Sequence, residues 1–188
     1  SETVGEALTL GLATASNLVA ALTSPEVNAG NVVLHLSLPC ADSGQLLLLE
    51  DDYGGAHAFS LEDLRGLLTA AGGASHLSLV FLHACCSAAA GEVFVEASAP
   101  HVVCCHGSVF DASAQAFTTA FYRAFGAGKS VLQAFELARV ALRSAPQPGL
   151  RPEAEKYLLL PEGAEAHERT FFDLACHAPG SCLHLERS

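Results

Sequence analysis

Two adjacent cysteines, Cys85 and Cys86, follow the apolar run Leu77–Ala84 (LSLVFLHA), which reads as a buried strand. Reacting groups in α/β sheets collect beyond the carboxyl ends of the strands, so Leu38–Cys40, Cys85–Ser87 and Cys105–Gly107 are the positions where chemistry is expected. A thiol with the ordinary pKa of about 8.5 attacks poorly at neutral pH unless a base or a positive field helps it. His106 ends the next apolar run, His101–Cys105 (HVVCC), and is the candidate base, since an imidazole titrates near neutrality. His35 and His83 fall inside strands and read as core groups pointing into the layers. Metal is a further possibility, because Cys85, Cys86, Cys104, Cys105 and His106 would meet at neighbouring strand ends. Neighbouring residues on a strand face opposite sides, whereas a zinc site needs four converging ligands. No metal and no cofactor is therefore expected. Cys176, His177, Cys182 and His184 near the end of the chain could clip a metal or form a disulfide, but their spacing fits no metal pattern.

These residues need elements to position them. Residues 3–22 have helical spacing through Leu8, Leu12, Ala15, Leu18, Val19 and Leu22, and Pro25, Asn28 and Gly30 then break the chain. Strands are predicted over 31–38 and 45–50, with a turn at 51–55. Ser60 and Asp63 form a capping box opening a helix with Leu61, Leu64, Leu67 and Leu68 inward, stopped by Gly72 and Gly73. A helical turn at 92–97 lies between the strands at 77–84 and 101–105. Asp111 caps a helix carrying Ala114, Phe117, Phe121 and Phe125 on one face and ending at Gly126. Ser130 and Gln133 box a second helix running to about Arg143, before a last strand over 156–160. The alternation predicts an α/β fold with a mainly parallel sheet, strands 31–38, 77–84, 101–105 and 156–160 parallel, and helices on both faces. One domain is expected over 1–163, with 164–188 an irregular tail.

The pieces LHLSLPC (34–40), SGQLLLLE (43–50), LVFLHACCS (79–87), HVVCCHG (101–107), AFTTAFYRAFGAGKSVLQAFELAR (116–139) and EKYLLLPEG (155–163) follow one another in a recognisable order. In that order the chain resembles CHAT domains of the caspase–separase group of cysteine peptidases, over about 12–163. The family's usual first strand is not visible ahead of 3–22. The resemblance implies a caspase-like, three-layer sandwich and puts Cys85 at the nucleophile position. The family's histidine comes from the end of the preceding parallel strand, and Pro39 stands there, with Leu38 and Cys40 at the flanking glycine positions. It therefore implies a catalytically degenerate domain, a pseudo-peptidase used in protein interaction or regulation. The alternative is an active cysteine endopeptidase using Cys85 with a relocated base such as His106.

Composition narrows the partners. The 188 residues are 51% apolar and 15% charged, enough for one buried core. The net charge of −11, from 9 basic and 20 acidic residues without basic clusters, argues against nucleic acid and anionic membrane as partners. A protein or peptide partner is the expectation. No apolar run reaches the length of a membrane span, about 20 residues. Seven cysteines, an odd number including two adjacent pairs, read as reduced thiols of a cytoplasmic protein. With no methionine, the first residue reads as an internal one, and the chain is expected to be a piece of a longer polypeptide or complex.

Overall fold

The computed structural model describes residues 6–10, 13–23, 32–51, 53–170 and 181–186, the first and last segments by their backbone alone. The strands are β1 (Glu6–Leu10), β2 (Val32–Ser37), β3 (Cys40–Ala41), β4 (Leu46–Glu50), β5 (Ala56–Ser60), β6 (Leu77–His83), β7 (Val102–Cys105), β8 (Tyr157–Leu160) and β9 (Ser181–Glu186). The helices are α1 (Ala15–Thr23), α2 (Leu61–Ala70), α3 (Ala88–Glu96), α4 (Asp111–Gly126) and α5 (Val131–Arg143). One sheet has the order β1-β9-β2-β6-β7-β8, and a small antiparallel sheet has the order β3-β4-β5. Pairings from β1 through β7 are parallel, and β8 runs antiparallel to β7. The protein is thus α/β with a mixed, mostly parallel sheet.

Helices cover both faces of this sheet. On one, Leu34 and Leu36 of β2 and Val80 and Leu82 of β6 pack with Leu22 of α1, Leu64 and Leu68 of α2 and Phe94 of α3. On the other, Val33, Leu79, Phe81 and Val103 pack with Phe117, Phe121 and Phe125 of α4 and Phe135 and Leu142 of α5. Alternate residues of each strand therefore feed two separate cores, as the period of two requires. Phe117 and Phe121 are fully buried, and a side chain of that size stabilises by about 1.5–3 kcal/mol on burial. Both capping boxes form: Ser60 with Asp63 at α2 and Ser130 with Gln133 at α5. Among the described residues no helix is long and apolar enough to cross a membrane.

Three expectations change and a fourth is extended. The helix read over 3–22 is strand β1 followed by helix α1; over five residues, Leu8 and Leu10 fit a period of two as well as a helical one, and pairing with β9 decides between them. The stretch 164–188 is not irregular throughout. Ser181–Glu186 lies between β1 and β2, its Leu183 and Leu185 alternating with polar residues. The strand at 157–160 is antiparallel rather than parallel. One helix after β7 would return the chain for a parallel strand, but the hairpin of α4 and α5 returns it to the opposite end. Finally, the turn at 51–55 closes a hairpin with β5, in which Asp51 Oδ1 accepts the N–H groups of Tyr53 and Gly55 at 2.9 and 2.6 Å. The predicted breaks at Pro25, Asn28 and Gly30 lie outside the described residues.

The small sheet meets the main one at a tight contact. Asp42, Ser43 and Gly44 all have positive φ, of 47°, 52° and 91°. A Cβ on Gly44 would fall onto the carbonyl oxygen of Cys86. Gly44→Ala is expected to lower the unfolding free energy by more than about 1 kcal/mol, because both conformation and space exclude a side chain; urea denaturation measures it.

Candidate active site

The pairing of β2 with β6 builds the site. Ser37 lies opposite His83, and the Leu38 N–H donates to the His83 carbonyl at 3.3 Å, so the two strands end level. Pro39 and Cys85, each two residues past that level pair, line one cleft of about 800 Å³. Ser37, Leu38, Cys40, His83 and Ala84 complete its floor, while Val109 and Asp111, Ala112, Ala114 and Gln115 from the start of α4 form its wall. This is the carboxyl edge of a parallel sheet, where ligands collect in α/β folds.

Cys85 is half-buried, and its sulfur is held by one backbone residue. The Val109 N–H donates to Cys85 Sγ at 3.4 Å, and the Val109 carbonyl lies 3.7 Å from the same sulfur. Cys86 follows in a left-handed conformation, with φ of 55°. Its N–H donates to the Gly107 carbonyl at 3.0 Å, which ties the turn to the segment beyond β7. Buried Ser87 bridges β6 and β7: its Oγ accepts the Cys105 N–H at 3.1 Å and lies 3.4 Å from the Leu82 carbonyl. The Cys105 thiol sits 3.0 Å from the Ala84 carbonyl and 3.2 Å from that of Gly107. The turn that presents Cys85 is therefore fixed on both sides, while its sulfur reaches the cleft.

Val109 is held in turn from a distance. Glu153, 3% exposed, accepts the Phe110 N–H at 3.1 Å and pairs with Lys156 at 2.7 Å. Lys156 also donates to the Ser108 carbonyl at 2.5 Å. Asp111, expected as the cap of α4, lies in its first turn; the N-cap is Phe110, which has no side-chain cap, and Glu153 accepts that residue's own N–H. Burial pushes the Glu153 carboxyl up, but Lys156, the Phe110 N–H and the Ser113 hydroxyl outweigh it and hold the group below the usual carboxylate range. The other cysteines are less fit for chemistry. Burial, followed by the neighbouring Cys105, Cys85 and Cys86, pushes Cys40 up to about 12. Burial also raises Cys104 strongly, so both stay protonated at neutral pH.

The histidines fall out differently from expectation. His106 is exposed, its Nε2 bonds the Glu155 carbonyl at 3.1 Å, and it is not among the residues lining the cleft. His83 is half-buried and lines the cleft with Cys85. β6 ends at His83 and Cys85 lies in the turn beyond it, so the two meet in the cleft without sharing the alternation of one strand. His35 is a core group as expected, stacked on Phe81 with ring centroids 4.9 Å apart and bonded to the Tyr122 hydroxyl at 2.8 Å. Val109 and Glu153 carried no sequence signal, since each acts through tertiary contacts. Among the described residues no three metal-ligating side chains converge, including around Cys85, Cys86, Cys104, Cys105 and His106. Cys176 and His177 lie outside the described residues, and Cys182 and His184 lie on β9.

A thiol at such an edge can add to a carbonyl entering the cleft, if a base takes its proton and N–H groups receive the oxyanion. Pro39, facing the same space, has no titratable group. The model of the CHAT domain family matches residues 3–172. No curated protein matches the chain.

Glu153→Gln tests the clamp. The native carboxylate contributes stability that is present above the ordinary glutamate value of about 4.3 and is lost as pH falls through its lower folded value. The substitution is expected to cost about 1–3 kcal/mol at pH 7 and to flatten the decline of stability below pH about 4.3. Urea unfolding at stepped pH reads both.

Proposed function

Since the chain belongs to the CHAT domain family, we propose that it is a caspase-like, three-layer domain that has lost peptidase chemistry and keeps the cleft to bind a protein or peptide partner. The observation that carries this reading is Pro39, which shares the cleft with Cys85 where the family resemblance puts a histidine. A cysteine without a base also lacks the acid that protonates a leaving amine, and such help is typically worth roughly 10²–10⁴-fold in rate. The cleft's shape needs neither. Its apolar floor and the peptide-sized space between the strand ends and α4 support an extended segment as occupant. A reducing, cytoplasmic setting agrees with the five free thiols at Cys40, Cys85, Cys86, Cys104 and Cys105.

One observation favours a second reading, that of a working cysteine endopeptidase. His83 lines the same cleft as Cys85, which His106 does not, and is therefore the better candidate for a relocated base. The covalent route would be attack by the Cys85 sulfur on the peptide carbonyl, departure of the amine with a proton from the imidazole, and hydrolysis of the acyl-enzyme by water.

Iodoacetamide labelling of Cys85 separates the two. The degenerate reading expects wild-type protein to react no faster than a free thiol at the same pH, with no change in His83→Ala or His106→Ala. Pro39→His is expected to accelerate labelling at least about tenfold, toward the gain that a positioned base supplies. Fast labelling of wild type at pH 7 that is lost in His83→Ala would instead establish the endopeptidase reading.

A further inference from the structure

The cleft leaves one buried titratable pair unused. His101, just before β7, and His167, in the short 3-10 turn Glu165–Glu168, are 9% and 2% exposed. Their Nδ1 atoms lie 2.6 Å apart, with ring centroids 4.8 Å apart. His167 Nε2 lies 2.8 Å from the Pro161 carbonyl oxygen. A carbonyl can only accept, so Nε2 of His167 carries hydrogen, and the neutral ring leaves its Nδ1 bare. His101 Nδ1 must then be the donor. A single proton lies between two facing nitrogens, and a second one on His167 Nδ1 would set N–H against N–H.

We propose that the His101–His167 pair is a proton-sensitive latch, holding the segment 161–170 against the start of β7 at neutral pH and releasing it on acidification. The segment also packs on α5, is joined to Ser130 by a bridge at Thr170, and makes local turn bonds at Ala164, His167 and Arg169. Among the described residues, the rings are bonded to each other and to the Pro161 carbonyl, and not to a carboxylate. Glu136 and Arg139 of α5, Glu155, Tyr157 of β8, and Glu162 and Glu168 of the segment itself line the groove beside His167. Arg139 is paired with Glu136 and Glu155. On the His101 side, α3 packs on β7 and carries Glu92 and Glu96, the latter paired with Arg65. The ionisable group of β6, His83, is at that strand's other end, in the cleft.

The direction of the effect follows from burial. Burial, then the neighbouring ring, pushes His101 down to about 4; burial also lowers His167, against the opposing pull of the Pro161 carbonyl. Once released, both rings return to an ordinary value of about 6.5. The closed segment is therefore fully favoured above pH about 6.5 and loses ground as pH falls toward about 4, by about tenfold per unit for each histidine that the open state protonates.

The test is a titration of the whole chain from pH 7.5 to 4 by NMR, following imidazole nitrogens and the amides of 161–170, in wild type and H167Q. Glutamine can donate to the Pro161 carbonyl and accept from His101 Nδ1 with nothing of its own to protonate. In wild type, the amides of 161–170 should shift together as both rings protonate, below the pH at which a free histidine does; H167Q should hold the segment closed at least one pH unit lower. Rings that titrate while the segment stays put, a segment that stays closed to pH 4, or an H167Q chain that opens with wild type would each overturn the latch. Should H167Q not fold, the wild-type titration alone decides.

Discussion

The level pairing of β2 and β6 is the constraint on which the site depends. A parallel ladder fixes its register through every backbone bond, and a slip of one residue would reverse which side chains face which core. Phe81 would leave the aromatic layer formed with Phe117 and Phe121, and Val80 would leave the opposite one. The hydrophobic cores therefore set, to the residue, where the two strands stop. Because they stop together, the turns beyond them face each other across the cleft. The position of Cys85 is a consequence of packing many ångströms away.

What lies beyond the strand ends is held by polar contacts instead. Cys86 takes a left-handed backbone, Gly44 leaves room for its carbonyl, and Ser87 stitches the turn to β7. Across the cleft, Glu153 and Lys156 hold residues 108–110 and so bring Val109 onto the sulfur. Backbone strain of this kind persists where the surroundings over-determine it, and it gathers at functional sites. That the geometry is kept so firmly is compatible with both a binding cleft and a catalytic one, which is why reactivity rather than shape distinguishes them.

Most of the central architecture was legible in the sequence. Helices α2, α4 and α5 announce themselves through caps and a phenylalanine stripe, and β2, β6 and β7 through short apolar runs bounded by turns. The sequence failed where two periods agree with the same few residues, as at Leu8 and Leu10; at β8 both intervening helices are legible, and a pair of helices returns the chain to the end that β7 left, so the antiparallel direction was within reach of the sequence. In the site, Cys85 and Pro39 could be placed because the order of the motifs resembles that of the CHAT family. His83 was hidden by the apolar run that contains it, and Glu153 by its distance along the chain from Phe110, whose N–H it accepts. Local pattern reports on local structure; a hydrogen bond supplied from another turn leaves no mark beside the residue that receives it.

The position of β9 has a bearing on how the sheet is assembled. It lies between β1 and β2, so two strands from the beginning of the chain are joined only through one that follows everything else described. Until residues 181–186 arrive, β2 presents an open ladder on the side away from β6, and β1 has no partner in the sheet. Contacts between such distant segments require closure of nearly the whole chain before they reward it, which slows folding. During that interval an uncovered parallel edge is a template for any extended segment nearby. The β6–β7 half of the sheet, with both of its helical layers, can form from residues close in sequence, so the cleft edge precedes the far edge. A chain synthesised from its amino end would thus carry a nearly finished cleft beside an unfinished sheet.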